Sequence, residues 1–265
     1  MTSAANQEVA RVALNEDAQF VVPKNDGYWW PNSMLGGYEP EIEQVLRCAA
    51  DRPYDLLDAG ANYGYWSILA SSAAFGRHRV AAIEASENNF KCLVANASAN
   101  GGRFHALHYA ALDLSGETVR LYGRKHWGLS LRKDWHPADV EQYEDVETIT
   151  LDDVAGRFFP IRAYPAFIKL DVEGAEIEAI KGARRLIEEG ALVAFEDHGK
   201  EPSHRISRYV LSRHDLMTWY VDADNRATRI TSVDQVEGIK RDPVLGYNFF
   251  TCRRASPWCS LFAVS

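Results

Sequence analysis

An α/β fold built on a mostly parallel sheet, with helices on both faces, is predicted for this chain by three observations. Apolar runs of strand length alternate with stretches of helical periodicity from Glu41 to Phe195, the pattern left by crossover connections between parallel strands. The segment Leu56-Leu57-Asp58-Ala59-Gly60-Ala61-Asn62-Tyr63-Gly64-Tyr65 reads as a buried strand that breaks through small residues into a helix. Two late strand-like runs, Met217 to Asp222 and Tyr247 to Cys252, are separated by turn formers and predict an antiparallel pair at one sheet edge.

The elements follow in order. Residues 1–40 are rich in aromatics and turn formers, notably Tyr28-Trp29-Trp30-Pro31 and Gly36-Gly37, and are read as an irregular flap that extends a main domain of residues 41–265. Glu41 to Ala50 has helical spacing at Ile42, Val45, Leu46 and Ala49, and Pro53 ends it. A strand at Asp55 to Ala59, a helix at Tyr65 to Ala73, a strand at Arg79 to Ile83 and a helix at Glu87 to Asn100 come next. A third strand falls near His105 to Ala110, then Thr118 to Tyr122 and Glu147 to Thr150 flank a polar loop inserted near residues 123–145. Ala166 to Leu170 and Ala191 to Phe195 read as strands joined by one helix, Ala175 to Glu189.

Composition bounds the partners. With 265 residues the chain can bury a sizeable core, and no apolar run is long enough to span a bilayer. A formal net charge of −8 without a basic stripe argues against nucleic acid. Cys48, Cys92, Cys252 and Cys259 lack the spacing of a zinc site or the density of a disulfide scaffold, and residues 1–13 do not read as a signal peptide. These features predict a cytoplasmic protein; oligomeric state is not legible.

In a parallel sheet, ligands bind beyond the carboxyl ends of the strands, which selects the candidate site residues. After the first strand come Asp58, Gly60, Ala61, Asn62 and Gly64. No G-x-G-x-x-G run is present, and an acid just before the turn repels pyrophosphate while suiting a cation such as the amino end of S-adenosylmethionine. Glu84, about 20 residues beyond Gly64, is placed to bind ribose hydroxyls, with Ala85 beside it. Ala110 and Ala111 are small enough to let an adenine ring approach the backbone. Asp171 ends the fourth strand, where Glu173 and Glu176 also crowd a helix start, and Glu196-Asp197-His198 ends the fifth.

Taken together these residues resemble the FkbM family of S-adenosylmethionine-dependent methyltransferases. The likeness runs through Gly37-Tyr38-Glu39-Pro40-Glu41, Asp58-Ala59-Gly60-Ala61-Asn62 with Gly64, Ser86 to Phe90, Asn96, Phe167 to Glu176, and Lys181-Gly182. It implies a Rossmann-like class I methyltransferase domain with a seven-stranded sheet, and O-methylation of a hydroxyl on a small molecule, a natural product or sugar. By the same resemblance Tyr38, Glu39, the glycine turn, Glu84, Ala85, Ala110, Ala111 and Asp171 fall to the cofactor. A general base at His198 or Asp197, with Asp171 as a further catalytic candidate, would take the acceptor proton. A second version gives Asp171, Glu196 and Asp197 to Mg²⁺, by similarity to metal-dependent O-methyltransferases. Two other classes share the fold: a catalytically silent interaction module, and a nicotinamide-dependent oxidoreductase, which lacks its glycine triplet here. Aromatics of the flap and the loop, Tyr28 to Trp30, Trp127 and Trp135, are expected chiefly to anchor those segments to the core.

Overall fold

The computed structural model describes residues 8–29, 38–123, 128–133 and 141–263. The chain begins with β1 (Val9–Asn15) and β2 (Ala18–Pro23), which pair antiparallel, followed by α1 (Pro40–Cys48). Next come β3 (Asp55–Ala59), α2 (Tyr65–Ala70), β4 (Arg79–Glu84), α3 (Glu87–Ala99) and β5 (His105–His108). A small appended sheet uses β6 (Ala110–Ala111), β7 (Thr118–Tyr122) and β8 (Tyr143–Ile149). After α4 (Leu151–Phe158) the chain returns through β9 (Phe167–Leu170), α5 (Glu176–Lys181), α6 (Arg184–Glu188) and β10 (Leu192–Glu196). It closes with α7 (Arg205–Ser212), β11 (Leu216–Val221), β12 (Ala227–Ile230), α8 (Val233–Ile239) and β13 (Asn248–Arg253).

The main sheet has eight strands in the order β12-β11-β13-β10-β9-β3-β4-β5. From β10 to β5 all neighbours are parallel, whereas β13 inserts antiparallel between β10 and β11. The strand order reverses at β3, and the crevice beyond the carboxyl ends of β3 and β9 is where such a sheet opens for ligands. Alternation along β3 divides the core: Leu56 packs with Phe20, Ile42, Ile68 and Leu93 on one face, and Leu57 with Val154, Ala179, Ile206 and Val236 on the other.

Several expectations are revised. The stretch read as an irregular flap holds the β1–β2 hairpin, whose Phe20 and Val22 are fully buried in the same core as α1 and α2. Backbone groups on the free edge of β2 are met by α3. Asn96 accepts from the Val21 amide (2.7 Å) and donates to its carbonyl (3.0 Å), and Asn100 repeats the arrangement on Gln19 at 3.0 and 2.7 Å. Side-chain amides thus replace a neighbouring strand, a signal that hydrophobic periodicity does not carry.

The resemblance implies seven strands, but β12 adds an eighth outside the expected β11–β13 pair. The inserted loop is shorter than read, since β8 starts at Tyr143. The single helix expected over Ala175 to Glu189 breaks at Gly182-Ala183, because the chain there runs against Leu112: a Cβ on Gly182 would lie 2.0 Å from the Leu112 carbonyl oxygen. Trp29 is buried and anchors its segment as expected, while Trp30, Trp127 and Trp135 lie outside the described residues. Among the described residues no helix is long and apolar enough to cross a membrane.

Replacing Asn96 by Ala strands a buried amide and carbonyl on β2. Chemical denaturation should register a loss of about 2–4 kcal/mol, and a change within error of zero would contradict this account of the hairpin's attachment.

Candidate active site

Beyond the carboxyl ends of β3, β4, β9 and β10 lies a cavity of about 800 Å³, within the range of small-molecule sites. Its floor is the turn after β3. Gly60 and Ala61 donate their amides to the Ile83 carbonyl at 2.9 and 3.0 Å, which folds the turn onto the end of β4. Asn62, in the left-handed region at φ 51°, donates its amide to Glu84 Oε2 (2.8 Å), and Ser86 donates to Oε1 (2.8 Å). Glu84 is therefore held in one orientation at the cavity wall; burial, offset in part by those amides, pushes its pKa up to about 7.

Asp171 caps β9 and enters the same cavity. Its amide donates to the Ala59 carbonyl (3.0 Å), and Lys169 Nζ reaches its Oδ2 at 3.1 Å. Burial opposes ionisation of Asp171, but Lys169 and a hydrogen bond with Glu196 prevail and hold its pKa below the ordinary value. Burial, and then Asp171, Glu173 and Glu39, push the Glu196 pKa well above its ordinary value. Glu39 completes the group: Trp66 Nε1 (2.8 Å) and Asn248 Nδ2 (3.2 Å) donate to its two oxygens. Burial and Asp171 raise its pKa to about 7, against the pull of Lys169. Lys169 is itself only 4 % exposed; burial disfavours its charge, but Asp171, Glu39 and Asp58 outweigh that and hold it as an ammonium.

A rim of aromatic rings stands over these acids. Trp29 stacks on Tyr65 (5.6 Å between centroids, 19°), Tyr38 lies over Trp66 (5.9 Å, 27°), and Trp29 Nε1 donates to Asn62 Oδ1 at 3.0 Å. Tyr28 and Tyr38 line the cavity beside them.

Most of the residues singled out by sequence meet here: Tyr38, Glu39, Gly60, Ala61, Asn62, Glu84, Ala85, Ala110, Ala111, Asp171, Glu196 and His198 all line the cavity. Three do not. Asp58 sits inside β3 below the turn, fully buried, where Ser67 Oγ donates to its Oδ2 (2.6 Å) and Oδ1 finds no hydrogen-bond partner. Gly64 caps α2 in the left-handed region, with Leu93 packed where its side chain would be. Asp197 turns the other way: Lys240 Nζ pairs with its Oδ1 at 2.5 Å, and Ser207 Oγ donates to its Oδ2 at 2.5 Å, all buried. This corrects the reading of Asp197 as a base, because its carboxylate is consumed by a buried ion pair behind the strand. The Mg²⁺ version falls with it. Asp197 does not line the cavity with Asp171 and Glu196, Lys169 pairs with Asp171, and among the described residues no cluster of three or more His, Cys, Asp or Glu could hold a metal ion.

The model of the FkbM methyltransferase domain matches residues 58–215, more than half of the chain. This chain belongs to the FkbM methyltransferase family. No curated protein matches it. Among solved structures, a methyltransferase FkbM from Methylobacillus flagellatus KT is 21% identical with a TM-score of 0.46, covering 75% of this chain and 43% of its own. A precorrin-6y C5,15-methyltransferase from Geobacter metallireducens GS-15 is 12% identical (TM-score 0.43; 81% and 88% covered). An O-methyltransferase from Bacillus cereus in complex with SAH is 12% identical (TM-score 0.41; 86% and 96% covered). The chain thus spans less than half the length of the FkbM structure it resembles.

Within this FkbM domain the residue that sequence reading left without a role is Lys169. A lysine in the middle of the buried strand Phe167–Leu170 was itself a signal, because a buried ammonium needs paired acids.

Stability should carry the imprint of these acids. Glu39, Glu84 and Glu176 titrate near 7 when folded, each chiefly because burial disfavours the charged form, and near 4.5 when unfolded. A raised carboxyl pKa favours the folded state below the unfolded value, and that advantage is lost as pH climbs from about 4.5 through about 7. The melting temperature of the ligand-free protein should therefore fall between pH 6 and pH 8. Glu176→Gln, which keeps an acceptor for the Gly174 amide (3.0 Å in the native protein), should flatten that fall. An unchanged slope would contradict the burial of Glu176 as an acid.

Proposed function

We propose that this protein is an S-adenosylmethionine-dependent methyltransferase that methylates a hydroxyl group on a small molecule. One observation carries the reading: in a chain of this family, the Gly60 turn, Glu84 and the Asp171 acid group share one cavity. The residues present fit the cofactor. Glu84, its orientation fixed by two backbone amides, has lone pairs left to accept from paired ribose hydroxyls. Ala85, Ala110 and Ala111 keep the adjoining wall shallow enough for a flat ring. Acids outnumber bases along the lining, which favours a ligand with a cationic amine and sulfonium. Bound there, S-adenosylmethionine supplies an electrophilic methyl group.

The chain's own task is then to align an acceptor oxygen and relieve it of its proton. Alignment contributes most of the acceleration in such displacements, and the Tyr28, Trp29 and Tyr38 wall excludes water from the approach. For the proton, His198 and Asp171 are the catalytic candidates from the sequence that line the cavity, and His198 is our choice. Asp171 is already committed to Lys169 and Glu196, and histidine is the side chain that most often serves as a general base.

Thermal melting with S-adenosylmethionine, S-adenosylhomocysteine and NAD⁺ tests the assignment. The first two should stabilise the fold and NAD⁺ should not; a response to NAD⁺ alone, or to none of them, would defeat it. Calorimetry should find Glu84→Ala binding S-adenosylhomocysteine about 10- to 100-fold more weakly, as expected on losing hydrogen bonds to a charged group. His198→Ala should keep that affinity while kcat drops by about 10²- to 10⁴-fold. Undiminished kcat in that variant would move the base elsewhere.

A further inference from the structure

A second cleft, of about 750 Å³, opens beside the cavity and shares Leu131 and Ala175 with its wall. Its charge is opposite to its neighbour's. Arg120 from β7, Arg132 from the 128–133 segment and Arg205 at the start of α7 line it, against one acid, Glu178. This happens in a chain whose formal net charge is −8, and next to a cavity walled by Glu39, Glu84, Asp171, Glu173 and Glu196. The three arginines come from separate parts of the chain, and only the tertiary structure brings them to one cleft.

The arginines sit over a partly apolar floor that includes Leu112 and Tyr122. A guanidinium offers paired, coplanar N–H donors that match the oxygens of a phosphate, and several of them suit a group bearing more than one negative charge. On Arg120 the competition is weak. Arg120 pairs with Asp145 at 3.5 Å, with both side chains more than half exposed, and such surface pairs contribute about 0–1 kcal/mol. A dianion entering the cleft displaces that contact at small cost.

We propose that this cleft binds a phosphate or diphosphate group carried by the acceptor, so that the substrate is a phosphorylated small molecule. The shared wall lets one ligand reach both sites, with its anionic end among the arginines and its hydroxyl beside the acids. The proposal rests on the methyltransferase reading for the hydroxyl end; the anion site stands on the cleft itself.

Inorganic pyrophosphate is the probe for the cleft, and S-adenosylhomocysteine the control for the cavity, both followed by calorimetry on the full chain. The native protein should bind pyrophosphate with an affinity that declines as salt rises. Arg132→Glu/Arg205→Glu should lose at least about tenfold of that affinity while binding S-adenosylhomocysteine as before. Arg132→Gln/Arg205→Gln serves as the milder version should charge reversal disturb folding, with retained S-adenosylhomocysteine binding as proof of an intact fold. In methyl-transfer assays, the variants should lose kcat/KM on sugar phosphates and nucleotide-linked sugars but not on the corresponding unphosphorylated sugars. Pyrophosphate binding that is absent from the native protein, or equal in native and variants, overturns the proposal, as does equal loss on both acceptor sets. Failure of S-adenosylhomocysteine to bind the native protein would instead overturn the reading of the cavity, and leaves the pyrophosphate comparison to decide the cleft.

Discussion

The turn after β3 passes the end of β9 at a distance that only a residue without a side chain permits. A Cβ on Gly60 would lie 1.7 Å from the Asp171 carbonyl oxygen, and the glycine's φ of +76° is one that other residues rarely adopt. This single approach assembles the site. The Asp171 amide can then bond to Ala59, the turn can fold onto Ile83, and the Asn62 amide can orient Glu84. Two acids far apart in sequence thereby face one cavity.

Concentrating carboxyl groups at that point creates an electrostatic problem that the structure answers with one buried cation. Lys169 lies beside Asp58 in the β3–β9 register and reaches forward to Asp171, so its charge serves the layer beneath the turn as well as the cavity. The acids of the cavity respond in opposite directions: burial pushes Glu196 and Glu39 upward, while Asp171, despite its burial, is held down by Lys169. Asp58, expected at the ligand, acts instead on Lys169 and on Ser67, one layer back.

Much of this was legible before any fold was known, and the failures have specific causes. Strand ends carrying Gly60, Glu84 and Asp171 were readable because apolar runs end abruptly in small or acidic residues, and parallel sheets open at that edge. The order Glu196-Asp197-His198 was readable only as a concentration of titratable groups. Which of the three face the cavity depends on the pleat beyond β10 and on Lys240, which follows the last turn of α8 and claims Asp197. The hairpin was missed for a related reason: its edge is satisfied by Asn96 and Asn100, side chains contributed from about 75 residues away.

The sequence by itself determined the alternation of strands and helices, the glycine turn and the acids at the strand ends, because these follow from local periodicity and from the conformations each residue allows. Tertiary structure alone decided which way each acid's pKa moves, that Asp197 is withdrawn from the cavity, and that Arg120, Arg132 and Arg205 converge on one cleft. Those outcomes depend on charges brought together across long stretches of chain and shielded from water, and neither proximity nor burial is written in the spacing of residues along it.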